Sequence, residues 1–342
     1  MNRPGRPGPD EPEVPVAGDE PQSFGLGFPL PGDARGSDSF LTVFVALGAN
    51  LLIAVAKTAA ALITRSASLT AEAAHSWADT GNEVFLVVAN RRAARPADRE
   101  HPLGHGREAY VWSLFAAVGL FVAGGAFSIT HGVGQLRAPS PADDFIVGYA
   151  VLAVSFVLEG VSFRQSVRQA RADAATMQRD LIEHVLATSD PALRAVFAED
   201  AAALIGLLLA TAGLAAHQLT GSPVPDAVGS ILVGILLVVV AVVLINRNRR
   251  FLVGEEADPR VRAAVLRALL AMPEVARVTY LRLEVVGPRM ISVVGDVDLA
   301  GDDVESHVAV RLRALEAKVS SSPAVAGTVL SLSAPDEPSL TV

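Results

Sequence analysis

Between Phe40 and Ile245 the chain alternates long apolar stretches with polar connections. Apolar runs extend over about Phe40 to Ile63, Leu69 to Val88, Ala109 to Thr130, Phe145 to Phe163, Ala192 to Leu214 and Ala227 to Ile245. Each is close to the ~20 residues an α-helix needs to cross a hydrocarbon core. The pattern predicts six transmembrane helices. The second run carries His75 and Asp79, and the fifth carries Glu199 and Asp200.

Beyond Gly254 the period changes. Val261, Val265, Leu266, Leu269 and Leu270 fall at helical spacing. The segments YLRLEVVG and MISVVGDVDL alternate as strands around a turn at Gly287–Pro288. Val304, Val308, Leu312, Leu315 and Val319 form a second helical stripe, and TVLSL offers a third strand. The order α-β-β-α-β predicts a small α+β domain of the split βαβ type, too polar to sit in lipid. The predicted fold class is an all-α six-helix membrane domain followed by that domain. The boundaries are 1–38 for a polar tail, 39–250 for the membrane domain and 251–342 for the α+β domain. Arg168 to Pro191 reads as a long polar connection with a short amphipathic helix around Leu181 to Leu186.

Composition agrees with this division. Hydrophobic residues make up 51% of the 342 residues, and mean hydropathy is positive. The tail is rich in Pro, Gly and acids and has no apolar run long enough for a signal-peptide core, so it is expected to be disordered in the cytoplasm. Arg residues cluster after the second, fourth and sixth runs, while the other connections carry few, so both termini are expected in the cytoplasm. The Arg bias and the lack of a recognisable targeting segment point to a bacterial plasma membrane. The net charge of −8 gives no support for nucleic-acid binding. With no cysteine, disulfides and thiolate metal sites are excluded, so any metal must be held by His, Asp, Glu or backbone groups.

His75 and Asp79 are one helical turn apart and share a face. An ionisable group inside a span is costly unless paired or functional. An imidazole and a carboxylate on one face supply half of a tetrahedral zinc site, although the two could also simply bond each other. Glu199 and Asp200 are adjacent, so they point about 100° apart: one can face the second span and the other a neighbouring helix. Both could also sit near a helix entrance, favoured by the dipole. Such an N/O set suits Zn²⁺ without excluding Mn²⁺, Fe²⁺, Co²⁺ or Cd²⁺. Metal and protons compete for these atoms, which is a basis for antiport between two alternately exposed states. In the loop DREHPLGHGRE, Asp98, His101 and His105 lie within eight residues and form either a solvated loop or a surface metal site, which Gly104 and Gly106 would let curl. Lys57 is expected to snorkel, Glu159 and Asn50 are weaker candidates, and His184 and His307 read as surface histidines.

These segments together resemble the cation diffusion facilitator family, over roughly Phe40 to the end. SASLTAEAAHSWADTGNE resembles its second-span signature, HPLGHGRE its loop signature and NRNRRFLVGEEADP its hinge into the soluble domain. The resemblance implies proton-coupled efflux of zinc or a similar divalent metal, with no enzymatic activity and no bound cofactor. The lipid membrane, the metal and protons are the partners, and a homodimer forms through a ferredoxin-like cytoplasmic domain. It implies His75, Asp79 and Asp200 as transport ligands, with Glu199 substituting in part, and Asp98, His101 and His105 as a loop metal site. The remaining span-five ligand position falls on Val196. DPALRAVFAEDAAALIG is similar to the zinc transporter nine subgroup. In the soluble domain only His307 falls near a ligand position. Two readings from other classes remain: a membrane-anchored regulatory protein with a degenerate metal site, and an intramembrane hydrolase, for which no HExxH or GxSxG motif is present.

Overall fold

The computed structural model describes residues 40–139 and 144–342, so the expected tail over 1–38 lies outside the described residues. Six long helices form one body: α1 (Phe40–Thr64), α2 (Ala67–Ala93), α3 (Glu108–Arg137), α4 (Phe145–Thr176), α6 (Pro191–Thr220) and α7 (Val224–Val253). A short helix, α5 (Leu181–Ala187), precedes α6. Four of the long helices, α3, α4, α6 and α7, are long and apolar enough to cross a membrane. In α1 the apolar part among the residues searched, Asn50–Thr64, is shorter. α2 is long enough, about 40 Å at 1.5 Å per residue, but Glu72, His75, Asp79 and Glu83 lower its hydropathy. Its polar side is enclosed by the other helices: Glu72 and His75 are fully buried.

Local chemistry starts and stops these helices. Ser66 caps α2 by accepting from Leu69 N at 3.2 Å. Asp190 caps α6 from just before Pro191, which lacks the N–H that a first turn would leave unpaired. Asp226, in the first turn of α7, accepts from Ser66 Oγ at 2.8 Å and Ala67 N at 2.5 Å, clamping the start of α2. α3 and α7 meet backbone to backbone: a Cβ on Gly234 would lie 2.8 Å from Gly125 O.

The helices outrun the apolar stretches. α4 continues to Thr176, well past Phe163, where the sequence suggested a loop. α7 takes in the arginines of NRNRR. Hydropathy marks where a helix leaves lipid, not where it ends. The polar end of α4 still has a role, since Ala170 packs with Val185 of α5 and with Leu193 and Phe197 of α6.

After Gly254 come α8 (Pro259–Leu270), β1 (Val275–Gly287), β2 (Met290–Leu299), α9 (Glu305–Ser320) and β3 (Val325–Leu332). β1 and β2 are antiparallel, with Leu283 opposite Val293; β2 and β3 are parallel, with Val294 opposite Val329. The sheet order is β1-β2-β3. β2 and β3 are therefore neighbours, and the crossover through α9 is contiguous where a split one was expected. The core joins Val265, Leu266 and Leu269 of α8 to Leu315 and Val319 of α9 across the inner face of the sheet. Val304 is solvent-exposed just before α9, because the helix begins one residue later than its stripe suggested.

This core also takes in Tyr110 of α3 and Phe251 of α7, whose rings stack with centroids 5.0 Å apart. Arg107 pairs with Glu284, and Arg289 Nη2 lies 2.8 Å from Asp173 Oδ2. Apolar and ionic contacts together fix the sheet unit against the ends of the helices that carry Arg107, Asp173 and Phe251.

Candidate metal centre

Glu72, His75, Asp79 and Glu83 follow one another at intervals of three, four and four, which places them on one face of α2. That face meets α1, α4 and α6 around a cavity of about 90 Å³. Asn50 and Ile53 of α1 line it, with Asp79, Asn82 and Glu83 of α2, Glu159 and Ser162 of α4, and Val196, Glu199 and Asp200 of α6. The two adjacent acids of α6 diverge as helix geometry requires. Glu199 turns to α2 and accepts from Asn82 Nδ2, while Asp200 turns to α4 and lies 3.2 Å from Ser162 Oγ. Neither sits at the entrance of α6, which begins two turns earlier at Pro191.

His75 is fully buried with Nδ1 3.3 Å from Asp79 Oδ1, although neither ring nitrogen has a hydrogen-bond partner. It stands behind Asp79 and does not line the cavity. Asp79, Glu199 and Asp200 do. Val196 lines the same cavity, so an apolar wall occupies the position where the resemblance implied a ligand. The cavity therefore presents oxygen donors almost alone. Buried oxygens with nothing donating to them, Asp79 Oδ1, Glu199 Oε1 and Asn82 Oδ1, favour a cation or proton there.

Lys57 does not snorkel. It is fully buried, with Nζ 3.1 Å from Glu72 Oε2 and 3.8 Å from Glu159 Oε1. Its position well inside α1 leaves no path for the ammonium to reach water, so it pairs inward. Glu72, Asn82, Glu83 and Ser162 had no role in the sequence analysis, although the α2 members carry a legible signal in their spacing along one face. Ser162 carries none, because only the packing of α4 brings it in.

Among the described residues, one group of three offers ligand atoms all within 4.8 Å of one another: Asp98, His101 and His105. It lies in the loop between α2 and α3. Asp98 Oδ1 accepts from Glu100 N at 2.9 Å and His101 N at 2.7 Å. His101 Nδ1 stands 3.3 Å from Oδ1, and His105 Nε2 stands 3.0 Å from Oδ2. The His105 hydrogen bond and then the His101 N–H hold the Asp98 carboxyl down at about 2. Two imidazoles and an ionised carboxylate fit a zinc-type ion. The two glycines have different duties. Gly104, at φ +78°, makes the turn; Gly106 lets the loop lie against the β1–β2 turn, where a Cβ would meet Val286 O at 2.7 Å.

Of the remaining histidines, His307 is exposed as expected. His184 is 5% exposed and buried, because α5 folds back under α4 and α6.

Over 262 residues the chain is 34% identical to metal tolerance protein C4 of Arabidopsis thaliana, covering 77% of this chain and 57% of that protein. It is 31% identical over 259 residues to the human mitochondrial proton-coupled zinc antiporter SLC30A9, covering 76% and 46%. It is 24% identical over 278 residues to the uncharacterized transporter MJ0449 of Methanocaldococcus jannaschii, covering 78% and 90%. The chain thus spans about half the length of the first two. Residues 43–253 match the cation efflux transmembrane domain, the body that holds the oxygen-lined cavity. The chain therefore belongs to the cation efflux family, the cation diffusion facilitators, a family of membrane transporters rather than enzymes, and lies close to the SLC30A9 group within it.

Proposed function

We propose that this protein exports a divalent metal ion, zinc foremost, in exchange for protons, by alternating access about Asp79, Glu199 and Asp200 with His75 behind them. The observation that carries this reading is the cavity itself: carboxylates from α2 and α6 line one space, and Asp79 Oδ1 and Glu199 Oε1 in it accept no hydrogen bond. Such oxygens hold either a metal ion or protons, and the two exclude each other. Protons entering from the far side would displace the metal, and the emptied or protonated site would return. The relative SLC30A9 is named a proton-coupled zinc antiporter, which is consistent with this cycle. The loop triad Asp98, His101 and His105 is assigned to a second metal site at the cytoplasmic mouth. Residues 39–250 carry transport, and residues 251–342 join two copies into a homodimer. The arginine-rich connections support a plasma-membrane orientation with both termini in the cytoplasm.

Val196 favours a second reading of selectivity. Without a second imidazole on α6 the oxygen-rich cavity suits Mn²⁺, Fe²⁺ or Co²⁺ as well as zinc. Metal flux in proteoliposomes under an imposed pH gradient, across Zn²⁺, Mn²⁺, Fe²⁺, Co²⁺ and Cd²⁺, tests both readings. Metal-driven proton flux is expected from the wild type and not from His75→Ala, Asp79→Ala or Asp200→Ala. Normal transport by Asp79→Ala would remove the site assignment, and metal binding without any flux would favour a regulatory membrane protein.

A further inference from the structure

The cavity has a carboxylate on a helix that the transport reading does not use. Glu159 of α4 lines it beside Asp79 and Asp200, with its side chain 14% exposed. Its carboxylate accepts no hydrogen bond from the described residues, and its one ionic neighbour is Lys57, 3.8 Å away. That distance is too long for a hydrogen bond. Lys57 instead bonds Glu72 at 3.1 Å. Glu72 points away from the cavity wall, under α6: a Cβ on Gly206 would come within 2.4 Å of Glu72 Oε1, and Glu72 does not line the cavity. Lys57 is therefore bonded on one side and only leaning on Glu159 on the other.

We propose that Glu159 is a further cargo-binding carboxylate of this cavity and that Lys57 competes with the cargo for it. The proposal rests on the transport reading above and deepens it. A second observation points to a cation in the same space: Glu199, 8% exposed, and Asn82, 3% exposed, each keep an unpartnered oxygen there. No Lys, Arg or His lines the cavity to offset Asp79, Glu83, Glu159, Glu199 and Asp200. A divalent ion seated among them draws Glu159 more strongly than an ammonium at 3.8 Å does, since charge doubles and separation shortens. With Val196 on α6, Glu159 supplies from α4 the donor that α6 lacks, and it supplies oxygen rather than nitrogen. The cavity thereby becomes an oxygen-only site, suited to harder divalent ions.

The test is calorimetric titration of Zn²⁺ and Mn²⁺ into the purified full-length protein. All variants carry D98A, H101A and H105A, so that the loop does not contribute heat. Glu159→Gln is expected to weaken binding by about tenfold or more, a loss of ~1.4 kcal/mol. Glu159→Asp, which keeps the charge, is expected to recover part of it. The paired change K57M with E72Q removes the competitor without leaving Glu72 charged and unpaired, and is expected to tighten binding several-fold. Adding Glu159→Gln to that pair should abolish the gain. Unchanged affinity in Glu159→Gln, or a gain that persists without Glu159, overturns the proposal. Asp79→Ala separates the two levels. If it abolishes binding while Glu159→Gln does not weaken it, only this inference falls; if it binds normally, the cavity assignment falls first. Melting temperatures identify any variant that has lost its fold, and Glu159→Asp then carries the test.

Discussion

Lys57 Nζ of α1 lies 3.1 Å from Glu72 Oε2 of α2, and both side chains are fully buried. An ion pair in that position joins two helices by charges that cannot escape to water. Removing one partner leaves the other charge uncompensated, which typically costs about 3–5 kcal/mol. Lys57→Met or Glu72→Gln alone is therefore expected to lower the melting temperature of the detergent-solubilised protein sharply. The pair together should recover most of the loss. A double variant that loses the sum of the two single losses would show that the pair contributes no coupling.

Val196 sits on the cavity wall one turn before Asp200. Replacing it with His places an imidazole among oxygen donors. Val196→His is expected to raise the preference for Zn²⁺ over Mn²⁺, measured as the ratio of transport rates in proteoliposomes, because imidazole favours the borderline ion. An unchanged ratio would mean that this position does not reach the cargo.

The loop triad has a pH signature of its own. The Asp98 carboxyl is depressed to about 2 by its bonds to His105 and to the His101 backbone. A depressed value means that its ordering contribution is present above the ordinary carboxylate value and is lost as pH falls through about 2. Pepsin, active across this range, is expected to cut the loop slowly at pH 4 and quickly near pH 2. Asp98→Asn should be cut quickly at both. Slow cutting of Asp98→Asn at pH 4 would show that the carboxylate does not order the loop.

Gly106 touches the β1–β2 turn, and a Cβ there would lie 2.8 Å from Gly287 Cα. Gly106→Ala must push the loop and the sheet unit apart, an overpacking cost of about 1–3 kcal/mol. Lower thermal stability is expected, together with faster hydrogen exchange at Val286 and Gly287. Wild-type exchange in the variant would argue that this approach is not a fixed contact.

Much of the architecture can be read in the residues, because burial in lipid and burial in a small core impose different periods on a chain. The apolar runs and their positively flanked loops imply the six helices, and the alternation after Gly254 implies a hairpin and a crossover. His75 and Asp79 stand out because an ionisable side chain in an apolar run demands an explanation. The loop triad stands out because three ligand types lie within eight residues.

Other features arise only when helices distant in sequence meet. The diverging roles of Glu199 and Asp200, the entry of Glu159 and Ser162 from α4, and the inward pairing of Lys57 all depend on which helix faces which. One-dimensional periodicity gives the polar face of a helix but not the neighbour opposite it. For the same reason hydropathy placed the end of α4 at Phe163, where the helix leaves lipid, while backbone hydrogen bonding carries it to Thr176. Residue chemistry set the material of this cavity; the packing of α1, α2, α4 and α6 decided which oxygens share it.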